Sequence, residues 1–393
     1  MLRAPLTVRP FRLIHCAHYN AGRCRSCTEL EQPYAAQLAA KQAQAQALLA
    51  SHVDMQWLPA LASDEAGFRN KAKMVVSGTA ASPVLGIRDK AGQGVELSDC
   101  ALYPPSMQAC FPAITAFIVR AALDPYDLAS RRGELKFVLL TEAHDGALLL
   151  RFVLRSEATV ARIRKHLPSL LAALPRLGVV SVNLQPEHKA VLEGEREILL
   201  TEASRLAIEV NDIRLQLRPQ SFFQTNTAIA AALYAQARDW IAAAQPASVW
   251  DLYCGVGGFA LHAAAAGRRV TGIELEAEAI ASAELSLAEL VASGREVSEV
   301  GFASADATAW ALSQPRRAEL VIVNPPRRGI GEVLSRHLEA ASETRWLIYS
   351  SCNAESLARD LALMPSFQPR QARLLDMFPQ TRHYEVIVLL ERA

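Results

Sequence analysis

From about residue 219 onward the chain alternates between short apolar runs and amphipathic stretches, and that rhythm leaves few folds open. The apolar runs are 247–253 (ASVWDLY), 269–274 (RVTGIE), 318–324 (AELVIVN), 345–350 (RWLIYS) and 384–390 (YEVIVLL), with helical patterning between them, as at 276–293. Strands this apolar are covered on both faces, so the pattern predicts an α/β domain with a parallel, doubly wound, Rossmann-like sheet. Such sheets bind ligands at the carboxyl ends of their strands, which puts every strand-ending motif of this region on one edge.

The upstream half reads differently. Residues 31–51 are rich in Ala, Gln and Leu and predict a helix. Between about 68 and 220, β-like runs (KMVVSG, KFVLLTEA, ALLLRFVLRS, VVSVNLQ, EILLTEA, IRLQLRP) mix with helical stretches at 108–123 and 158–174. That mixture predicts an α+β central domain over 31–218 with much antiparallel sheet, preceded by a Cys/Arg/His-rich segment, 1–30. A chain of 393 residues is long enough for two or three such units. A net charge of +1 excludes a globally basic, polyanion-coating protein, so any nucleic-acid surface must be a local patch. No apolar run reaches the ~20 residues of a membrane span, and the N-terminus lacks a secretory pattern; the expectation is a cytoplasmic protein with no membrane partner. Its seven cysteines are then reduced, so clusters among them point to metal or catalysis rather than disulfides.

Three motifs end strands. In DLYCGVGGF (251–259), Gly255, Gly257 and Gly258 allow a tight turn and close backbone approach to a ligand, and Glu274 follows about 20 residues later, where an acid accepts a ribose hydroxyl. The spacing GVGG departs from the dinucleotide form G-x-G-x-x-G and resembles the class I S-adenosylmethionine methyltransferases. In that class the residue at Asp306 contacts adenine; taken alone, Asp306 is equally a helix N-cap. The second motif is VNPPRRG. Two successive prolines end the strand and hold the chain extended, presenting Asn324, and N-P-P at this place in a methyltransferase domain signals a site for a planar base. Arg327 and Arg328 follow where amino-group methyltransferases carry an aromatic residue, which argues against amino-group chemistry. The third is YSSCN. A cysteine at a strand end is by itself more often structural. Methylation of a pyrimidine carbon, however, needs a nucleophile at C6, and the helix start after Cys352 favours a thiolate.

Together, DLYCGVGGF, VNPPRRG, YSSCN and HYEVIVLLER resemble the RNA uracil-C5 methyltransferase family over most of 247–393, and RPQSFFQTN at 218–226 also matches it. The resemblance implies Cys352 as nucleophile, Glu385 as the base that takes the C5 proton, and Gln224, Tyr253, Glu274, Asn324 and Asp306 as S-adenosylmethionine contacts. From the residues alone, Glu385 is equally an ordinary charge flanking the last strand.

Cys16, Cys24 and Cys27 form C-x7-C-x2-C, three thiols able to ligate zinc or an iron–sulfur cluster if a fourth joins. Cys110 lies in an apolar run and reads as core; Cys100, in a polar loop, is the better-placed fourth. Spacing does not separate zinc from iron. One branch of the family carries a four-cysteine cluster, and its resemblance to C-x7-C-x2-C followed by DCALYP implies [4Fe–4S] on Cys16, Cys24, Cys27 and Cys100. Another cluster-bearing branch has an added RNA-binding domain, and the transfer-RNA branch lacks the cysteines. The expected partner is therefore 23S ribosomal RNA, met by a monomer. The competing expectations are a transfer-RNA or multi-site uracil methyltransferase, and an inactive iron–sulfur RNA-binding protein. Candidate phosphate contacts are Arg69, Lys71 and Lys73, and Arg131, Arg132 and Lys136, each of which also reads as a solvated charge.

Overall fold

The computed structural model describes residues 14–189 and 191–393. Expectations for residues 1–13 lie outside that range.

The catalytic sheet has eight strands, in the order Gln56–Trp57, Phe367–Leu375, Glu385–Arg392, Trp346–Ser351, Leu320–Val323, Ser248–Leu252, Arg269–Glu274, Val300–Ser304. The five strands from Trp346–Ser351 to Val300–Ser304 pair in parallel, as expected from their apolar runs. The C-terminal strand corrects the all-parallel expectation: Glu385–Arg392 runs antiparallel to both neighbours. The cause is the connection. A parallel return needs a crossover of a dozen or more residues, and 376–384 is too short to hold one. Phe367–Leu375, unassigned from sequence, alternates buried and exposed residues and carries a register shift at Pro369/Gln371, because proline cannot donate to the ladder.

The second sheet has seven strands: Gly94–Glu96, Ser82–Arg88, Lys71–Thr79, Leu135–Glu142, Leu148–Leu154, Leu177–Leu184, Arg196–Leu199. It is antiparallel except between Leu148–Leu154 and Leu177–Leu184, which the helix Val160–Ala173 connects as a crossover. That helix and Phe111–Arg120 bury Ile114, Phe117, Ile163 and Leu170 against one face. The helix expected at 108–123 is broken into Pro105–Gln108 and Phe111–Arg120, since Pro112 has no N–H to continue the first.

Two segments expected in the central region pack elsewhere. The helix Tyr34–Leu48 and the strand Gln56–Trp57 lie against the catalytic sheet, where Ala45, Leu49 and Met55 join its core. The hairpin Leu206–Val210/Ile213–Leu217 packs on the catalytic helix Ala277–Ala292, where Gln216 N donates to Ser286 Oγ at 2.8 Å. Among the described residues no helix is long and apolar enough to cross a membrane.

Candidate active site

At the carboxyl edge of the parallel strands lies a cavity of about 610 Å³, within the usual range for small-molecule sites. Gln224, Tyr253, Glu274, Asn324, Cys352 and Glu385 all line it. They reach it from separate elements, as the strand-end argument requires.

The glycine turn forms one wall. Tyr253, Gly255 and Gly257 take left-handed φ values of +69°, +54° and +82°; glycine adopts these without cost, whereas Tyr253 is strained. A Cβ at Gly258 would meet the Tyr234 hydroxyl at 2.4 Å, so only glycine lets the helix Gly258–Ala263 begin there. Beneath the turn Asp251 is fully buried. Its Oδ2 accepts from Ala260 N at 2.8 Å while Oδ1 has no partner, and burial pushes its carboxyl up to about 8. The Glu274 carboxylate accepts from the main-chain N–H of Gly255 (3.1 Å), Leu275 (2.7 Å) and Glu276 (3.2 Å) and stays partly open to the cavity. An open glycine turn beside an acid pinned by three amides fits a ribose-bearing ligand.

The opposite wall carries the reactive pair. Ser351 pairs with Val386 in the antiparallel ladder, so one step further out Cys352 and Glu385 face each other. Glu385 is 3% exposed, and its Oε1 accepts from Asn324 Nδ2 (3.0 Å) and Ser350 Oγ (2.5 Å). Burial raises its carboxyl to about 7, against the pull of those two donors. The half-buried Cys352 thiol is raised by burial and then by Glu385, and is drawn back down by the charge and hydrogen bond of Arg327. Asn353 caps the helix Ala354–Ala362 and donates from Nδ2 to Arg327 O at 3.1 Å, tying the N-P-P-R turn to the cysteine turn.

Asp306 lies outside this lining: it is exposed and caps the helix Ala307–Ser313, accepting from Ala309 N at 2.8 Å. Ser350 and Arg327 were missed as site residues. Alternation along the strand places Ser350 on the same side as Cys352, a signal present in YSSCN, but nothing local foretold that Arg327 would meet the thiol. Phe222, Phe378 and His383 at the cavity wall also went unread. Lys136 corrects an expectation. It is buried, donates to Gln185 and to Glu187 O, and is unavailable to phosphate, whereas Lys73, Arg131 and Arg132 are exposed.

The four N-terminal-side cysteines are free and half-buried. They sit within electrostatic reach of one another: the Cys27 thiol is pushed up to about 12 by burial and then by Cys100, Cys24 and Cys16. Among the described residues no three His, Cys, Asp or Glu side chains are arranged to hold a metal ion. Cys110 is buried in the core and donates its thiol to Ser106 O, as expected.

The sheet, its glycine turn and its strand-edge cavity define an S-adenosylmethionine methyltransferase-like fold. A Pyrococcus abyssi tRNA (uracil-54, C5)-methyltransferase, solved with S-adenosyl-L-homocysteine, shares the fold at a TM-score of 0.75 and 22% identity, over 93% of this chain and 85% of that one. The family described as tRNA (Uracil-5-)-methyltransferase matches residues 192–393. A protein of Pectobacterium atrosepticum named 23S rRNA (uracil(747)-C(5))-methyltransferase RlmC is 49% identical over 381 residues, covering 97% of this chain and all of the relative. Its namesake in Yersinia pestis is 50% identical over 378 residues, covering 96% of this chain and 99% of that protein. The chain belongs to the RNA uracil-C5 methyltransferase family.

Proposed function

We propose that this protein methylates C5 of a uracil in 23S ribosomal RNA, the uracil for which its half-identical relatives are named. The observation that supports the chemistry best is the facing of the Cys352 thiol and the buried, hydrogen-bonded Glu385 carboxyl at the end of one antiparallel ladder, on the wall of one cavity. S-adenosylmethionine supplies the methyl group on a positively charged sulfur. Gln224, Tyr253, Glu274 and Asn324 are the residues we assign to its site, with Asp306 further out at its helix cap.

The steps follow from the residues. Arg327 favours the Cys352 thiolate, whose lone pair bonds to C6 of a uracil turned out of the RNA stack. The C5–C6 π pair moves onto the C4 carbonyl as an enolate, and C5 takes the methyl as the donor carbon–sulfur bond breaks. The Glu385 carboxylate then removes the C5 proton. The released pair re-forms C5=C6, and the Cys352 thiolate leaves. Ser350 and Asn324 orient the Oε1 they hold and offset part of the burial that keeps Glu385 protonated.

Cys16, Cys24, Cys27 and Cys100 are the residues we assign to a [4Fe–4S] cluster. Four free thiols from two chain segments match its ligand set in number and kind, and Cys16, Cys24 and Cys100 are near enough to raise the Cys27 thiol. The cluster would tie these segments together, since the methyl transfer needs no electron. We assign 1–30 to the cluster, the seven-stranded-sheet part of 31–218 to RNA handling, and 219–393, with the segments 34–57 and 206–217 packed on it, to catalysis, in a cytoplasmic monomer.

RNA from a strain lacking the gene is expected to lose 5-methyluridine at one 23S position and nowhere in transfer RNA; loss from transfer RNA instead would overturn the ribosomal reading. Failure of wild type to trap 5-fluorouridine RNA as a covalent adduct would overturn the enzymatic one.

A further inference from the structure

Gln224 projects into the cavity from a stretch, 221–224, that belongs to no helix or strand. Its main chain therefore lacks a ladder to fix it, and something outside the stretch must do so. Asn70 does this. Its Nδ2 donates to Gln224 O at 2.9 Å and to Thr227 Oγ1 at 2.7 Å, and its backbone N donates to Thr225 O at 2.8 Å.

Asn70 is itself anchored. It is 9% exposed, its carbonyl accepts from Glu142 N at 2.8 Å, and it leads directly into the strand Lys71–Thr79. On the far side of the same segment, Gly67 N donates to Ala101 O (2.8 Å) and Arg69 N to Leu102 O (3.0 Å). The segment 67–70 thus lies between the loop after Cys100 and the Gln224 stretch, hydrogen-bonded to both.

We infer that Asn70 is a positioning residue for the methyl-donor site, acting through the Gln224 main chain. It stands at the entrance to the seven-stranded sheet yet sets a side chain of the catalytic cavity. The inference rests on the assignment of Gln224 to that site. A half-buried carbonyl that loses its donor moves to find another, and Gln224 moves with it.

The test is S-adenosylhomocysteine affinity by calorimetry, in a double-mutant cycle of Asn70→Ala and Gln224→Ala in the full chain. Asn70→Ala is expected to weaken binding about tenfold, and the double variant to bind no more weakly than Gln224→Ala alone. KM for the methyl donor rises in parallel, while KM for RNA stays within twofold. Asn70→Ala affinity within twofold of wild type, or fully additive losses in the cycle, would overturn the inference. Should Asn70→Ala fail to fold, Asn70→Ser enters the same cycle with the same criteria. If Gln224→Ala binds as well as wild type, the assignment of Gln224 fails first, and the two failures are distinguished.

Discussion

Cys352 and Cys27 are both free, half-buried thiols, and burial raises both, yet their neighbours differ in kind. Cys352 has one carboxyl opposing its ionisation and one guanidinium, Arg327, favouring it by charge and by hydrogen bond. Cys27 has three other thiols against it and only the charge of Arg69, the smallest of its influences, in favour, and it is pushed up to about 12. Burial alone does not tell a nucleophile from a ligand. The difference lies in whether the neighbours include a guanidinium that both charges and hydrogen-bonds the thiol, as at Cys352, or are mainly further thiols, as at Cys27.

The widest separation of the two sites comes from removing each thiol in turn. Cys352→Ala is expected to lower methyl transfer by at least about 10³-fold and to abolish the adduct with 5-fluorouridine RNA, read by gel shift of the covalent complex. Cys27→Ser should still form that adduct while losing bound iron, read by metal analysis. An adduct surviving in Cys352→Ala breaks the comparison.

Next in size is Glu385→Gln, expected to slow turnover by about 10²–10⁴-fold. Bond formation to C6 precedes the step it serves, so this variant should accumulate the covalent adduct with ordinary RNA. The wild-type rate should climb as pH rises through about 7, where Glu385 becomes the ionised base. Stability runs the other way. A folded carboxyl raised from 4.5 to about 7 means the native state holds the proton more tightly than the unfolded chain. Stability is therefore full below about 4.5 and declines as pH rises toward 7. Glu385→Gln escapes that decline and should be more stable than wild type at pH 8 by at most about 3 kcal/mol in denaturant unfolding.

The strand-edge part of this site was legible because it is local. Apolar strands marked 248–252, 269–274, 320–323 and 346–351, and each motif sits within a few residues of a strand end. The antiparallel return of Glu385–Arg392 was not legible, since its direction depends on the strand Phe367–Leu375, whose alternating, proline-bearing pattern carries a weak signal. That return brings Glu385 opposite Cys352, so the pairing of base and nucleophile came from resemblance rather than from the residues. Arg327 illustrates a second limit. The sequence places it after N-P-P, but its approach to the thiol depends on Asn353 holding Arg327 O across two loops 26 residues apart. Helix Tyr34–Leu48 illustrates a third: its pattern showed a helix, while its partner is set by a buried pair, Lys41 Nζ to Asp376 Oδ1 at 2.7 Å, 335 residues away.

The smallest effect sharpens the comparison most directly. If Arg327 is what separates the two thiols, removing its charge should make Cys352 behave more like Cys27. Iodoacetamide reacts with the thiolate, so its rate at fixed pH follows the fraction ionised. In metal-free protein at pH 8, Cys352 should alkylate well ahead of Cys27, because Cys27 must ionise amid three other thiols. Arg327→Gln should slow Cys352 severalfold and leave the Cys27 rate unchanged, read site by site by peptide mass spectrometry. A Cys352 rate that ignores Arg327 would assign its activation to the N-terminus of the Ala354–Ala362 helix instead. The contrast with Cys27 would then rest on helix placement rather than on a charged neighbour.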